Sequence, residues 1–294
     1  MMMTLPAQKI QSQKPVQALQ SLREVFSRYD FFIIDLWGVV HNGNQAFPSA
    51  IEILSHLKER QKPVYFLSNA PRRKVAAIAQ LVERGVPRHL YSDISTSGEE
   101  TFEHLKNRPD TYYQNLGNKL YHMGPEKDKS LYTGLENDYQ SSPIDEADFI
   151  LNTGTLFFED TLERYVPDLQ IGIARKLPMV CANPDLVVLY DDKEAICAGR
   201  IAKEYEKMGG TVRYHGKPSP NTYNRLLDCI GAKDLTKVLM IGDSLRTDIK
   251  GAKNAHIDSL FILSGIHRLK TPEEAHALYR IYDAHPTYVM TRLS

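Results

Sequence analysis

The stretch Phe31-Phe32-Ile33-Ile34-Asp35-Leu36-Trp37-Gly38-Val39 decides how this chain is read. Four consecutive apolar residues suit a strand buried on both faces, as in a parallel sheet. A carboxylate follows at once, and a glycine turn comes three residues later. Open α/β sheets bind ligands outside the carboxyl ends of their strands, so Asp35 stands where a ligand would. Far downstream, Val238-Leu239-Met240-Ile241-Gly242-Asp243-Ser244 repeats the pattern of apolar strand, glycine and acid. Two strand-end acids in one chain predict a divalent cation held between them, with Asp35 also placed to attack a phosphorus centre.

Working outward from Asp35, helical and strand patterns alternate. The first twenty or so residues read as a loose tail, and 16–27 as an amphipathic helix leading into the Asp35 strand. Helices are predicted at 51–60 and 72–84 around a strand at 63–67, which ends in Ser68-Asn69-Ala70-Pro71. Such alternation indicates a parallel sheet covered by helices on both faces. Residues 98–205 carry their own strand candidates at 120–123, 149–151, 179–181 and 187–189, with helical material at 159–169 and 168–176. After Gly209-Gly210 the first pattern resumes, with strands at 211–214, 238–241, 259–263 and 288–290 and helices at 220–230 and 248–255. The expected fold is α/β: a Rossmann-like, doubly wound parallel sheet core, residues 20–97 and 206–294, with an inserted α/β cap domain at 98–205.

The bulk properties narrow the function. A chain of 294 residues is long enough for one large domain or two smaller ones. Its 36 basic and 36 acidic side chains cancel, which argues against a broad nucleic-acid footprint. No apolar run approaches the roughly 20 residues of a membrane helix, and residues 1–20 hold no apolar core for a signal peptide, so no membrane partner is expected. Cys181, Cys197 and Cys229 are odd in number and lack C-x-x-C spacing, so neither a disulfide framework nor a zinc knuckle is expected. A cytoplasmic location fits best.

Four polar sites at or just after core strands suit phosphoryl transfer: Asp35, Ser68-Asn69, Lys217, and Asp243 with Asp248. A carboxylate can attack phosphorus. The Ser68 hydroxyl and Asn69 amide can bond phosphate oxygens. Lys217, in His215-Gly216-Lys217-Pro218-Ser219-Pro220, offers a compact positive charge. Asp243 would complete a Mg²⁺ site with Asp35, since Mg²⁺ takes few carboxylates besides water and phosphate oxygen. Backbone N–H groups around Trp37-Gly38 could cradle the same oxygens.

The ordered set D-x-x-G, S-N, G-K-P-S-P and Gly242-Asp243-Ser244-Leu245-Arg246-Thr247-Asp248 resembles the haloacid dehalogenase (HAD) superfamily of phosphohydrolases. The finer likeness is to its class IIA branch of NagD-like and 4-nitrophenylphosphatase-like sugar phosphatases. Leu263-Ser264-Gly265-Ile266 also reads like that branch. Ala182-Asn183-Pro184-Asp185 resembles the branch's A-T-N-P-D cap loop, and Ala198-Gly199-Arg200-Ile201-Ala202 its segment returning from cap to core. The resemblance implies a Mg²⁺-dependent hydrolase of a small phosphorylated metabolite, a sugar phosphate among the options, and a homodimer through the cap. It implies Asp35 as nucleophile and metal ligand, with Lys217 and Ser68 completing the catalytic set. Asp243 and the Trp37 backbone carbonyl join Asp35 as metal ligands, while Asp248 supports the metal shell or fixes its loop, direct ligation being the other option. Substrate contacts fall to Trp37, Gly38, Ser68, Asn69, Asn183, Asp185 and Lys217.

Position 37 departs from the pattern. The family's phosphatases usually carry an aspartate there as general acid and base, and an indole cannot exchange its proton usefully near neutral pH. Losing that help typically costs about 10²–10⁴ in rate, least for aryl and acyl phosphates, which leave without protonation. His41 is the substitute acid nearest in sequence. Two other readings stay open: a non-catalytic protein binding a phosphorylated ligand, and a dehalogenase of the same superfamily.

Overall fold

The computed structural model describes residues 15–190 and 193–294; the tail expected at the start lies outside them as far as residue 14. In chain order the strands are β1 (Gln17–Ala18), β2 (Phe31–Ile34), β3 (Val64–Ser68) and β4 (Asp93–Thr96), then β5 (Lys119–Met123), β6 (Gln140–Ser141), β7 (Phe149–Asn152) and β8 (Met179–Cys181). They continue as β9 (Val187–Tyr190), β10 (Lys193–Ile196), β11 (Val212–Tyr214), β12 (Val238–Gly242), β13 (Asp258–Ile262) and β14 (Tyr288–Met290). Among the described residues, seven of them form a parallel sheet in the order β1-β14-β13-β12-β2-β3-β4. Five more form a second parallel sheet in the order β11-β8-β7-β5-β6. β9 and β10 pair with each other as an antiparallel hairpin. The α/β class read from the sequence is the observed one.

The central strands are apolar throughout because both faces of the large sheet are covered. Phe32 and Ile34 of β2, with Leu239 and Ile241 of β12, pack on one face with Leu54 and Leu57 of the helix Pro48–Glu59. Ile33, Val238 and Met240 point the other way, into Tyr223 and Leu227 of the helix Pro220–Cys229. Burying each such side chain is worth about 1.5–3 kcal/mol. The same two-sided logic holds in the smaller sheet. Ile150 and Met179 meet Leu169 and Tyr205 on one face, while Phe149 and Val180 meet Leu105 and Tyr113 on the other.

Several edges differ from the sequence reading. Residues 16–27 do not form one helix. Gln17–Ala18 pairs with Tyr288–Val289 at the sheet edge, and only the turn Leu22–Val25 is helical, closed by a capping box of Ser21 and Glu24. The helix expected from 159 begins instead at Val166 and runs to Ala174, because Pro167 lacks the N–H that a helix arriving from upstream would need. β11, expected to reopen the large sheet, lies at the edge of the smaller one beside β8, so the chain returns to the large sheet after Tyr214. Strand β4 and the helices Ser97–Asn107, Ala198–Lys207 and Pro272–Ile281 were not foreseen. Among the described residues, no helix is long and apolar enough to cross a membrane.

Candidate active site at the ends of the central strands

β2, β3 and β12 lie side by side and run the same way, so Asp35, Ser68-Asn69 and Asp243 emerge at one end of the sheet. The Asp35 N–H donates to the Ile241 carbonyl at 2.8 Å, extending the β2–β12 ladder to the carboxylate. Lys217 comes from the linker after β11. Its Nζ donates to Asp35 Oδ1 and to Asp248 Oδ1, each at 2.6 Å. Asp248 Oδ2 accepts the Ser244 N–H at 3.0 Å, which engages both its oxygens and tightens the loop after β12. Asp243 Oδ2 accepts the Ile266 N–H at 2.7 Å.

Asp35, Asp243, Asp248 and Lys217 are all buried. Three carboxylates thus share one ammonium, and each of the three offers an oxygen within 4.8 Å of the others. Burial pushes the Asp35 carboxyl well above the usual carboxylate range, although the Lys217 charge opposes it. Burial and then the negative Asp35 push Asp243 up as well. For Lys217, burial alone would lower the pKa, and Asp248 and Asp35 hold it well above the ordinary value. A site in which carboxylates crowd against one another fits a divalent cation, which supplies the missing positive charge. Asp35 Oδ2 and Asp243 Oδ1 make no hydrogen bond and are not sealed from solvent. The backbone passes close to this cluster. Gly38 has φ +81°, and a Cβ there would sit 2.1 Å from Asp243 Oδ2, so only glycine suits the turn.

The expected phosphate-binding residues divide. The Ser68 hydroxyl accepts the Ala70 N–H at 3.2 Å and keeps its own proton to donate. Asn69 is spoken for: its Nδ2 donates to Asp185 Oδ1 at 2.9 Å and to the Lys217 carbonyl at 3.2 Å, while its Oδ1 accepts the Lys217 N–H at 2.8 Å. It ties the smaller sheet's loop to the Lys217 linker rather than turning its amide to the cavity. Asn183 Oδ1 accepts the Asp185 N–H at 2.9 Å and shapes that loop. Arg246 donates to the Pro184 carbonyl at 2.7 Å and lies 3.5 Å from Asp185 Oδ1.

Trp37 is half-buried and does not fill the space between Asp35 and Asp243. Its indole N–H donates to the Leu189 carbonyl on β9 at 2.7 Å. The ring packs edge-on to His41 and lies over Gly43 and beside Tyr190. His41 is not available as the substitute acid. Its Nδ1 accepts the Gly43 N–H at 3.0 Å, and burial holds its pKa down at about 3. Between the sheets lies a cleft of about 280 Å³, lined among others by Asp35, Ser68, Arg72, Phe157 and Asp185. A further 170 Å³ is lined by Asp35, Asp185, Lys217, Asp243 and Arg246.

One buried network escaped the sequence reading. His215 Nδ1 donates to Glu100 Oε1 at 3.0 Å, the Tyr113 hydroxyl donates to His215 Nε2, and Thr222 donates to Glu100 Oε2 at 2.8 Å. It fixes the linker two residues ahead of Lys217. The available signal was Glu100 itself, an acid on the helix face that also carries the buried Ser97, Thr101 and Leu105.

Residues 32–136 match a family model described as haloacid dehalogenase-like hydrolase, and residues 214–294 match a second model of HAD-like hydrolases. A solved haloacid dehalogenase-like hydrolase from Brucella suis is 31% identical, with a TM-score of 0.82 over 94% of this chain and all of that one. Ribonucleotide monophosphatase NagD of Escherichia coli is 24% identical over 81% of this chain and 88% of its own. The structure of a glycerol phosphate phosphatase from Mycobacterium tuberculosis in complex with calcium shares the fold at a TM-score of 0.64 and 21% identity, over 90% of this chain and 74% of that one. The chain belongs to the haloacid dehalogenase-like hydrolase family. Within it, the chain falls in the branch of NagD-like phosphatases, as its motifs implied. Phosphatases of this family generally work with a divalent metal, and the mycobacterial structure contains one.

Proposed function

We propose that the chain hydrolyses a small phosphorylated metabolite through an aspartyl-phosphate on Asp35, with Mg²⁺ as the cation. The observation that carries this reading is the buried cluster in which Lys217 bridges Asp35 and Asp248 beside Asp243. Residues 98–214 would form the cap over that cluster. Asp35 Oδ2, Asp243 Oδ1 and the Trp37 carbonyl would hold the cation, with Asp248 steadying Lys217 and the loop. When bound, the cation would draw charge from the phosphate oxygens.

In this reading Lys217 keeps one N–H beyond its two carboxylate bonds for the transferring phosphoryl group. Its hydrogen bond to Asp35 Oδ1 would aim that oxygen at phosphorus, while Oδ2 is the one toward the cation. Ser68 donates its free proton to a phosphate oxygen. The cleft walls would orient the ester so that Asp35 forms its bond to phosphorus in line with the departing oxygen. The abundance of carboxylates supports phosphoryl rather than halide chemistry.

The test is phosphate release from aryl, acyl and sugar phosphates, run with Mg²⁺, with EDTA, and with Asp35→Asn. Release that needs both the metal and Asp35 supports the proposal. A second reading, a binding protein for phosphorylated ligands, is favoured by the commitment of the Trp37 N–H to Leu189. No release from any ester, together with phosphate-ester binding by calorimetry, would decide for it.

A further inference from the structure

The cleft has a nucleophile and charge stabilisers, yet position 37 holds no acid and its indole proton is bonded to Leu189. Another group facing Asp35 must then protonate the leaving oxygen if esters of ordinary alcohols are to turn over. Most titratable side chains around the cleft are committed. Asp128 is buried against Arg72 at 3.2 Å. His267 Nε2 accepts the Leu245 N–H at 3.3 Å, and His41 is an acceptor to Gly43. The Cys197 thiol is pushed far up by burial.

Asp185 differs. It lines both halves of the cleft together with Asp35. Its Oδ1 is fixed by Asn69 and Arg246, while Oδ2 makes no hydrogen bond and the side chain, lining the cleft, is 35% exposed. Burial also pushes its carboxyl above the usual range. We propose that Asp185 Oδ2 is the general acid and base of this site, in place of the acid absent at position 37. The arrangement has an internal logic. Trp37 holds the carbonyl of Leu189, four residues beyond Asp185 on the same segment, so the side chain that displaced the acid also anchors the segment that delivers another.

The proposal rests on the phosphatase reading. As Asp35 bonds to phosphorus and the ester P–O bond breaks, the proton of Asp185 passes to the leaving oxygen and the alcohol departs. Water then attacks the aspartyl-phosphate, giving its proton to the Asp185 carboxylate. The Asp35–phosphorus bond breaks, releasing inorganic phosphate and restoring both carboxyls.

The experiment measures kcat/KM of the full chain with Mg²⁺ on esters of graded leaving-group pKa, from 4-nitrophenyl phosphate to glycerol phosphate. Asp185→Asn keeps the shape and the Oδ1 acceptor. It is expected to lose about 10²–10⁴-fold on the alkyl ester and less than about tenfold on the nitrophenyl ester, so the leaving-group plot steepens. Restoring an acid with Asp185→Glu, or with Trp37→Asp in the Asp185→Asn background, should flatten it again. Equal losses on all esters, or no loss on any, would overturn the proposal while Asp35-dependent release left the phosphatase reading standing. If the unmodified protein releases nothing even from 4-nitrophenyl phosphate, the phosphatase reading fails first and this one with it.

Discussion

Replacing Lys217 by Met tests the electrostatics of the site directly. The ammonium is 2% exposed and lies 2.6 Å from both Asp35 and Asp248, the latter fully buried. Methionine matches the stem and removes the charge, leaving three neighbouring carboxylates without their shared cation. Breaking a buried ion pair from one side costs about 3–5 kcal/mol, which at about 2–4 °C per kcal/mol lowers Tm by about 6–20 °C. The deficit should grow with pH. Asp35 and Asp243, whose carboxyls burial already raises, bind protons more tightly folded than unfolded, so the folded variant carries the extra protons and stability falls as pH rises. Thermal unfolding by circular dichroism in EDTA at pH 6 and pH 9 reads both effects. Adding Asp35→Asn should recover part of the loss, because one surplus charge disappears. A loss under about 1 kcal/mol, the worth of an exposed pair, or one that shrinks with pH, would refute the reasoning.

The remaining predictions concern the metal, the turn and the cap. A divalent cation at 100 times its Kd should stabilise the protein by about 2.7 kcal/mol, seen as a rise in Tm that Asp243→Asn abolishes. Gly38→Ala drives a Cβ into Asp243 Oδ2 at a φ of +81° and should lower phosphate release at least about 10²-fold; a loss under threefold would mean that the turn yields freely. His122 donates to or accepts from Thr153 Oγ1 at 2.9 Å, and burial, aided by Lys129, lowers its pKa to about 4. The unfolded chain therefore takes up a proton that the folded one refuses. Stability falls by up to about 1.4 kcal/mol per pH unit between pH 6.5 and pH 4, a slope that His122→Gln should reduce in denaturant titrations.

What the sequence revealed follows the physics of burial. β2 and β12 are covered on both faces, so each is a continuous apolar run, and the acid after each run marks its carboxyl end. Edge strands leave no such trace: β1 has two residues and β11 three, and β11 attaches to a sheet that local pattern cannot name. The polar residues of the site were legible one by one because their types suit the chemistry. Their mutual commitments were not. Asn69 meets Asp185 across 116 positions and Trp37 meets Leu189 across 152, distances at which periodicity says nothing. The sequence could state that Trp37 is no acid, but only the fold says where its N–H goes.

The pairing of β2 with β12 has a consequence for how the molecule is made. Ile34 lies against Ile241, and about 200 residues must be synthesised between them, which takes about 10–40 s at ribosomal rates. β2 can pair with β3, and β3 with β4, early, and the strands of the smaller sheet all come from residues 119–214, before β12 is made. For that interval the other edge of β2 stays open, its ladder unmatched and Asp35 far from Lys217. The nascent chain thus presents a sticky strand edge before it has a working centre. A chaperone that shields Phe31–Ile34 until β12 emerges would act at the most vulnerable moment of its synthesis.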